Sequence, residues 1–312
     1  MDAVLAARGL RKVFPDGTVA VDGVSFEAGR GLTVFMGPNG SGKTTTMRMS
    51  VGALRPTAGE VEACGHRVWG PEGWRARACM GYSPQDAPFR DRLTALENLV
   101  WYGLVRGIPL GEARRRARGL LELVGLEGGA SKKVAELSGG MRRRLAIAAS
   151  LMGDPEVLVL DEPTSGLDPG ARLHLWRLLR RLAGERAVVV STHIPAEAEE
   201  HADRVYIFHR GRVIAEGPPA SLIERHAPRA RIVAEGSMPE RPPSVAGAVL
   251  VEWNPGRAVY ATSDPDGALP ALVEGLLAAG ARLERVEVRR PGLAEVYLAL
   301  TGEAPAGVSG GG

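Results

Sequence analysis

Gly37-Pro38-Asn39-Gly40-Ser41-Gly42-Lys43-Thr44-Thr45 fits the pattern G-x-x-x-x-G-K-S/T, and the rest of the chain can be placed around it. Gly37, Gly40 and Gly42 let the backbone turn with its N–H groups facing inward, toward phosphate oxygens. Lys43 supplies a compact point charge for the β- and γ-phosphates, and Thr44 offers a hydroxyl to Mg²⁺. The flanks suit a phosphate-binding loop. Residues 31–36 are a largely apolar run of strand character, and residues 44–50 can open a helix whose N-terminal dipole favours an anion.

The lysine is more telling than the glycines. Of 39 Lys and Arg residues only four are lysine: Lys12, Lys43, Lys132 and Lys133. Arginine serves nearly everywhere else. A planar guanidinium replaces an ammonium poorly inside a closed phosphate loop, so a rare lysine stands where arginine would not serve.

At 312 residues, with 45% hydrophobic content, the chain suits one large domain and a small one. Net charge +3 is mildly basic and selects no partner by itself. The cluster Arg114, Arg115, Arg116 and Arg118 reads as a solvated helix face, and no nucleic acid is expected as a partner. Cys64 and Cys79 lie in no C-x-x-C or Cys/His spacing, so nothing supports a metal site there. Free thiols in a reducing compartment are the simpler expectation. The opening Met1-Asp2-Ala3-Val4-Leu5 has no basic region followed by a long apolar run, so no secretory leader is expected. No stretch approaches the ~18 apolar residues that span a bilayer; work at a membrane requires another chain to cross it.

Along the chain, residues 4–36 read as strands and turns, with a turn at Phe14-Pro15-Asp16-Gly17. Residues 91–135 turn helical. Val157–Leu160 and residues 187–190 have the continuous apolar character of buried parallel strands. Prolines thicken from Pro218 onward, and 239–243 reads as a linker or loop. Beyond it, strands at 249–253, 257–262 and 283–289 and helices at 269–279 and 293–300 make a small α+β domain starting near Arg229. The Gly/Ala/Ser/Pro-rich segment 303–312 is expected to be a disordered tail.

A second cluster of chemistry follows the strand Val157–Leu160, which ends in Asp161 and Glu162. Beside a phosphate loop the first carboxylate belongs on Mg²⁺ and the second is placed as base for an attacking water. Without that loop the pair would be a solvated strand end. Leu137-Ser138-Gly139-Gly140-Met141 opens a strongly helical stretch. Backbone N–H groups, a hydroxyl and a dipole end make a second anion site there; taken alone, the pentapeptide is an ordinary glycine-rich helix start. One nucleotide rarely needs two cradles from one chain, which points to two copies meeting across a dimer.

With these motifs in hand, the chain resembles the ATP-binding subunit of an ABC transporter over about residues 3–225. The resemblance implies an α/β fold: a P-loop NTPase core with a β subdomain and a helical subdomain at about 86–153, together forming an ATP-binding domain over 1–228. A small C-terminal α+β accessory domain over 229–302 completes the chain. Residues 37–44 are similar to Walker A, with Pro38, Asn39, Ser41 and Thr45 part of the nucleotide contact. Gln85, in Tyr82-Ser83-Pro84-Gln85, resembles the Q-loop glutamine that senses Mg²⁺ and the γ-phosphate. Residues 137–141 resemble the signature motif. Asp161 and Glu162 resemble the Walker B aspartate and the base. Asp168, in Ser165-Gly166-Leu167-Asp168, resembles the D-loop residue. His193 resembles the switch histidine; apart from the resemblance it is a polar residue at a strand end. Phe14 resembles the ring that stacks on adenine, replacing the more frequent tyrosine without loss of stacking.

Met141 stands where glutamine is commoner, and Met141-Arg142-Arg143-Arg144-Leu145 resembles the ABC-2 exporter branch. The resemblance implies ATP and Mg²⁺ as cofactors and a head-to-tail dimer with a second copy. It further implies a separately encoded membrane-spanning permease and a peripheral position on the cytoplasmic face of the membrane. The competing class is a soluble ABC ATPase of repair, translation or iron–sulfur assembly. Repair-type members carry a long coiled coil before the signature, and the stretch from Thr44 to Ser138 has no heptad array.

Overall fold

The computed structural model describes residues 3–303. Two antiparallel strands, β1 (Leu5–Val13) and β2 (Val19–Ala28), come first, and β3 (Gly31–Met36) leads through the phosphate loop into α1 (Lys43–Ser50). Next are β4 (Ala58–Ala63), the short β5 (His66–Arg67), α2 (Gly73–Ala78) and β6 (Met80–Ser83). A helical stretch holds α3 (Ala95–Val105), α4 (Leu110–Leu123) and α5 (Gly139–Ser150). Alternation then resumes with β7 (Val157–Leu160), α6 (Pro169–Ala183), β8 (Ala187–Thr192), α7 (Pro195–His201), β9 (Arg204–His209), β10 (Arg212–Gly217) and α8 (Pro219–His226).

The chain divides into two compact units, with the division between Ser221 and Leu222. In the first, six strands form a sheet in the order β10-β9-β3-β8-β7-β6. All neighbours in it are parallel except the β10–β9 edge. Every residue of β7 and β8 is buried. That burial on both faces is why their sequences run apolar without alternation. A second, antiparallel sheet has the order β2-β1-β4-β5, and its strands do alternate buried and exposed residues. The two sheets share one core, in which Leu5, Leu10, Val21 and Val61 meet Phe35, Val159, Val189 and Phe208. Phe26 and Phe35 meet edge-on at 4.8 Å between ring centres, and the Tyr206 hydroxyl donates to Glu27 O at 3.0 Å.

The helical character expected over 91–135 is carried by α3, α4 and two 3₁₀ turns. A capping box on Thr94 and Glu97 starts α3. Short 3₁₀ turns at Glu127–Gly129 and Val134–Glu136 precede α5.

The two cysteines correct the expectation of free thiols. Cys64, just after β4, and Cys79, just before β6, form a disulfide. The antiparallel sheet and α2 bring them together, and no local spacing announces such a contact.

The second unit is a four-stranded antiparallel sheet. Its strands are β11 (Ala230–Ser237), β12 (Ala248–Asn254), β13 (Arg257–Thr262) and, after helix α9 (Pro265–Ala278), β14 (Arg282–Arg289), in the order β12-β13-β11-β14. Helix α10 (Leu293–Thr301) closes it. Leu272 and Leu276 of α9 share a core with Ile232, Ala234, Ala258 and Tyr260 of the sheet. The inner strand β11 is absent from the sequence reading. Helix α9 also begins earlier than expected, capped by Asp264 with Pro265 in its first turn and Pro270 tolerated inside. The tail beyond Glu303 lies outside the described residues.

Candidate functional site

Parallel pairing sets the strand ends level. Met36 of β3 pairs with Thr192 of β8, Leu160 of β7 with Val190 of β8, and Ser83 of β6 with Leu160. The phosphate loop, Asp161 and Glu162, His193 and Gln85 therefore leave the sheet side by side at the carboxyl ends of its strands, where open α/β sheets bind ligands.

The phosphate loop has the geometry its glycines allow. Gly42 caps α1 at φ +103°, a left-handed conformation. A Cβ on Gly42 would stand 2.8 Å from Ala20 O, and one on Gly37 would stand 2.4 Å from Phe208 O. Among the described residues no side chain caps α1, and its first turn holds no acid, so its N–H groups and dipole stay open to an anion. Lys43 is 4% exposed. Its ammonium donates to Gly37 O at 2.7 Å and Pro38 O at 2.9 Å, which folds the side chain back over the loop. Burial pushes the Lys43 pKa below the usual lysine value, and the carboxylates of Glu162 and Asp161 oppose that shift.

The carboxylates are set with comparable definition. Asp161 is 1% exposed. Its Oδ1 accepts from Thr44 Oγ1 at 3.0 Å and from Ser191 Oγ at 2.7 Å. Its Oδ2 is buried with no hydrogen-bond partner among the described residues. A hydroxyl and a buried carboxylate with a spare oxygen suit a hard divalent cation. Glu162 has φ +47°, a left-handed conformation that is costly for a residue with a Cβ. It is held there by its N–H, which donates to Ser191 Oγ at 2.8 Å. His193 Nδ1 lies 3.5 Å from Glu162 Oε1.

A cavity of about 300 Å³ is lined by Asn39, Gly40, Gly42, Lys43, Thr44 and Thr45 together with Gln85, Glu162 and Ala20. Phe14 does not line it. That residue stands half-buried at the β1–β2 turn, with the Lys12 ammonium 5.5 Å from its ring centre. Ser138, Gly139, Gly140 and Asp168 also stand outside this cavity. Ser138 caps α5, accepting from Met141 N at 3.3 Å, and Asp168 caps α6, accepting from Ala171 N at 2.9 Å.

Two contributors escaped the sequence reading. Ser191 ties Asp161 to the Glu162 backbone, and no motif marks it. Glu197, 5% exposed, accepts from Thr164 Oγ1 at 3.0 Å and Thr192 Oγ1 at 2.5 Å. It thereby joins the segment after Glu162 to the strand end before His193. A carboxylate in the run Ala196-Glu197-Ala198-Glu199-Glu200 gives no sign of burial.

The phosphate loop, an acidic pair at a neighbouring strand end and a second glycine-rich helix start define a nucleoside-triphosphatase. The sequence profile of the ABC transporter family matches residues 21–165. Nod factor export ATP-binding protein I of Ralstonia nicotianae is 46% identical over 222 residues, covering 70% of this chain and 68% of that protein. Daunorubicin resistance ATP-binding protein DrrA3 of Streptomyces coeruleorubidus is 38% identical over 310 residues, 97% of each chain. The ATP-binding cassette MJ0796, solved as a dimer in a post-hydrolysis state bound to ADP and Pi, superposes with a TM-score of 0.63. It is 28% identical, covering 69% of this chain and 98% of that one. This chain belongs to the ABC transporter family, as an ATP-binding subunit that hydrolyses ATP. The alternative of a soluble repair, translation or iron–sulfur ATPase gives way to it.

Proposed function

We propose that this chain is the ATPase of an ABC-2 type exporter, working as a head-to-tail pair on a separately encoded membrane-spanning permease at the cytoplasmic face of the membrane. Among the described residues no helix is long and apolar enough to cross a membrane. The names of the two relatives, one for Nod factor export and one for daunorubicin resistance, support the direction of transport. DrrA3 matches 97% of the chain, which supports an accessory domain over 229–302 that belongs with the ATP-binding domain over 1–228.

In this reading Lys43 and the N–H groups of residues 37–45 hold the β- and γ-phosphates. Phe14 stacks on the adenine. The Thr44 hydroxyl and the Asp161 carboxylate would hold Mg²⁺, and Gln85 lines the same cavity as Thr44. Such an ion would supply charge neutralisation for the phosphates. Glu162 accepts the proton of the attacking water on its carboxylate, and His193, beside that carboxylate, orients it.

The observation that carries the paired arrangement is a half-built site. Lys43, Thr44, Gln85 and Glu162 line one cavity, with Asp161 bonded to Thr44 and His193 beside Glu162, while Ser138, Gly139, Gly140 and Asp168 of the same chain do not line it. A second copy supplies them. Mixing two variants tests this. Lys43→Ala removes the phosphate charge but leaves a sound 138–140 segment; Ser138→Arg blocks that segment but leaves a sound phosphate loop. Each alone is expected to hydrolyse ATP at least about 100-fold more slowly than native. An equimolar mixture forms one complete site per mixed pair, and its turnover is expected to rise at least about tenfold above either alone. A mixture that merely averages its components contradicts the paired site.

A further inference from the structure

The run Arg142-Arg143-Arg144 lies in the first turns of α5, and each arginine goes to a different segment. Arg142 pairs with Asp91. Arg144 Nη1 donates to Gly125 O, just after α4, at 2.8 Å. Arg143 reaches between two loops of the nucleotide site: Nη1 donates to Gln85 O at 2.6 Å and Nη2 to Ser165 O at 3.2 Å. Among the described residues it forms no ion pair, so its charge is spent on two carbonyls.

Both carbonyls matter to the site. Asp161 N–H donates to Ser83 O at 2.9 Å, anchoring the end of β6, and the Tyr102 hydroxyl donates to Pro88 O at 3.2 Å. Between those anchors, among the described residues, Arg143 supplies the hydrogen bond that ties the Gln85 loop to the rest of the protein. Ser165 sits in the segment from Glu162 to Asp168, where its N–H donates to Glu162 O at 3.2 Å. Gln85, Arg143 and Ser165 line one cleft of about 430 Å³ beside the start of α5 at Gly139. A guanidinium is a planar fork able to serve two acceptors from one rigid group, which an ammonium on a flexible stem does poorly.

We propose that Arg143 is a positioning residue: its guanidinium, held in place by the carbonyl of Ser165, locks the Gln85 loop to the helix that Ser138 caps. The orientation of Gln85 at the phosphate site thereby depends on the placement of that helix. A partner nucleotide that moves the start of α5 moves Gln85 with it. This rests on the assignment of Gln85 to the ATP site above, and it deepens that assignment by naming how the two glycine-rich segments of one chain are coupled.

A double-mutant cycle in the full chain tests it, using Arg143→Met, Gln85→Ala and the double variant, with Arg143→Lys as the conservative change. Affinity is read with a fluorescent ATP analogue, kcat and KM from phosphate release, and integrity from thermal melting. Arg143→Met is expected to leave nucleotide Kd within about threefold of native while kcat falls about 10- to 100-fold. Arg143→Lys, able to reach one carbonyl, is expected to fall between. In the Gln85→Ala background, Arg143→Met is expected to change kcat by less than about threefold, because it acts through a side chain already removed. If Gln85→Ala lowers kcat and Arg143→Met does not, or if the two losses multiply, the positioning role is wrong while the site stands. If Gln85→Ala leaves kcat at the native value, the assignment of Gln85 fails and the coupling fails with it. A parallel collapse of melting temperature and nucleotide affinity in both Arg143 variants reduces Arg143 to a structural strut and also overturns the proposal.

Discussion

Ser191→Ala is a one-atom deletion with a large expected consequence. Ser191 is fully buried, and its hydroxyl does two things at once. It donates to Asp161 Oδ1 at 2.7 Å and accepts the Glu162 N–H at 2.8 Å. Losing a hydrogen bond to a carboxylate costs about 1.5–3 kcal/mol, and leaving a buried N–H unpaired costs about 1–3 kcal/mol. Alanine also removes the hydroxyl's own desolvation, so the net loss is about 2–4 kcal/mol. For a unit of this size that corresponds to a drop in melting temperature of about 4–16 °C. The function should suffer with the stability. Glu162 sits at φ +47°, a conformation costing about 1–3 kcal/mol that its surroundings must enforce, and the bond to Ser191 is part of that enforcement. We expect kcat for ATP to fall at least about tenfold at a temperature where the variant is fully folded. Melting followed by circular dichroism, with phosphate release measured on the same preparation, decides the matter. A melting temperature within about 2 °C of native together with native kcat would show that Ser191 holds neither carboxylate.

Two further outcomes follow from the backbone and the disulfide. Gly42→Ala forces a Cβ to within 2.8 Å of Ala20 O at φ +103°, so ATP affinity in a fluorescent-nucleotide titration is expected to fall at least about tenfold; native affinity contradicts the loop geometry. The Cys64–Cys79 disulfide spans a sequence separation of 15 and is worth about 3 kcal/mol in the chain-entropy account. Dithiothreitol, or the paired change Cys64→Ser and Cys79→Ser, is expected to lower the melting temperature by about 6–12 °C, and identical melting of the two forms refutes the linkage.

The parts of the site legible in the sequence are those whose chemistry is local. Gly37 to Thr45 must be contiguous because one loop wraps one phosphate group, and Asp161 and Glu162 must follow an apolar strand because the strand delivers them. The sheet then does what a run of letters cannot show. It sets Met36, Ser83, Leu160 and Thr192 level, so that four separate segments meet. Ser191 escapes because a serine at the end of the valine run Val188-Val189-Val190 looks like a strand end, and only the neighbouring strand supplies its two partners. Glu197 escapes because its burial is a tertiary fact. The Arg143 fork joins carbonyls far away in sequence, and a backbone acceptor leaves no mark in the residue types. In the second unit, β11 is hidden by its mixed composition: Ile232, Val233 and Ala234 are all buried, so the alternation that marks a strand facing water on one side is missing.

The central claim, that the strand ends around Lys43, Asp161 and Glu162 hydrolyse ATP, is tested most directly by phosphate release and ATP affinity measured side by side for the native chain and Glu162→Gln. The substitution keeps shape and hydrogen-bonding reach but removes the base. Phosphate release is expected to fall at least about 100-fold, while ATP binds within about threefold of native affinity. Native turnover in Glu162→Gln, or loss of ATP binding by a variant that melts like the native chain, would contradict it.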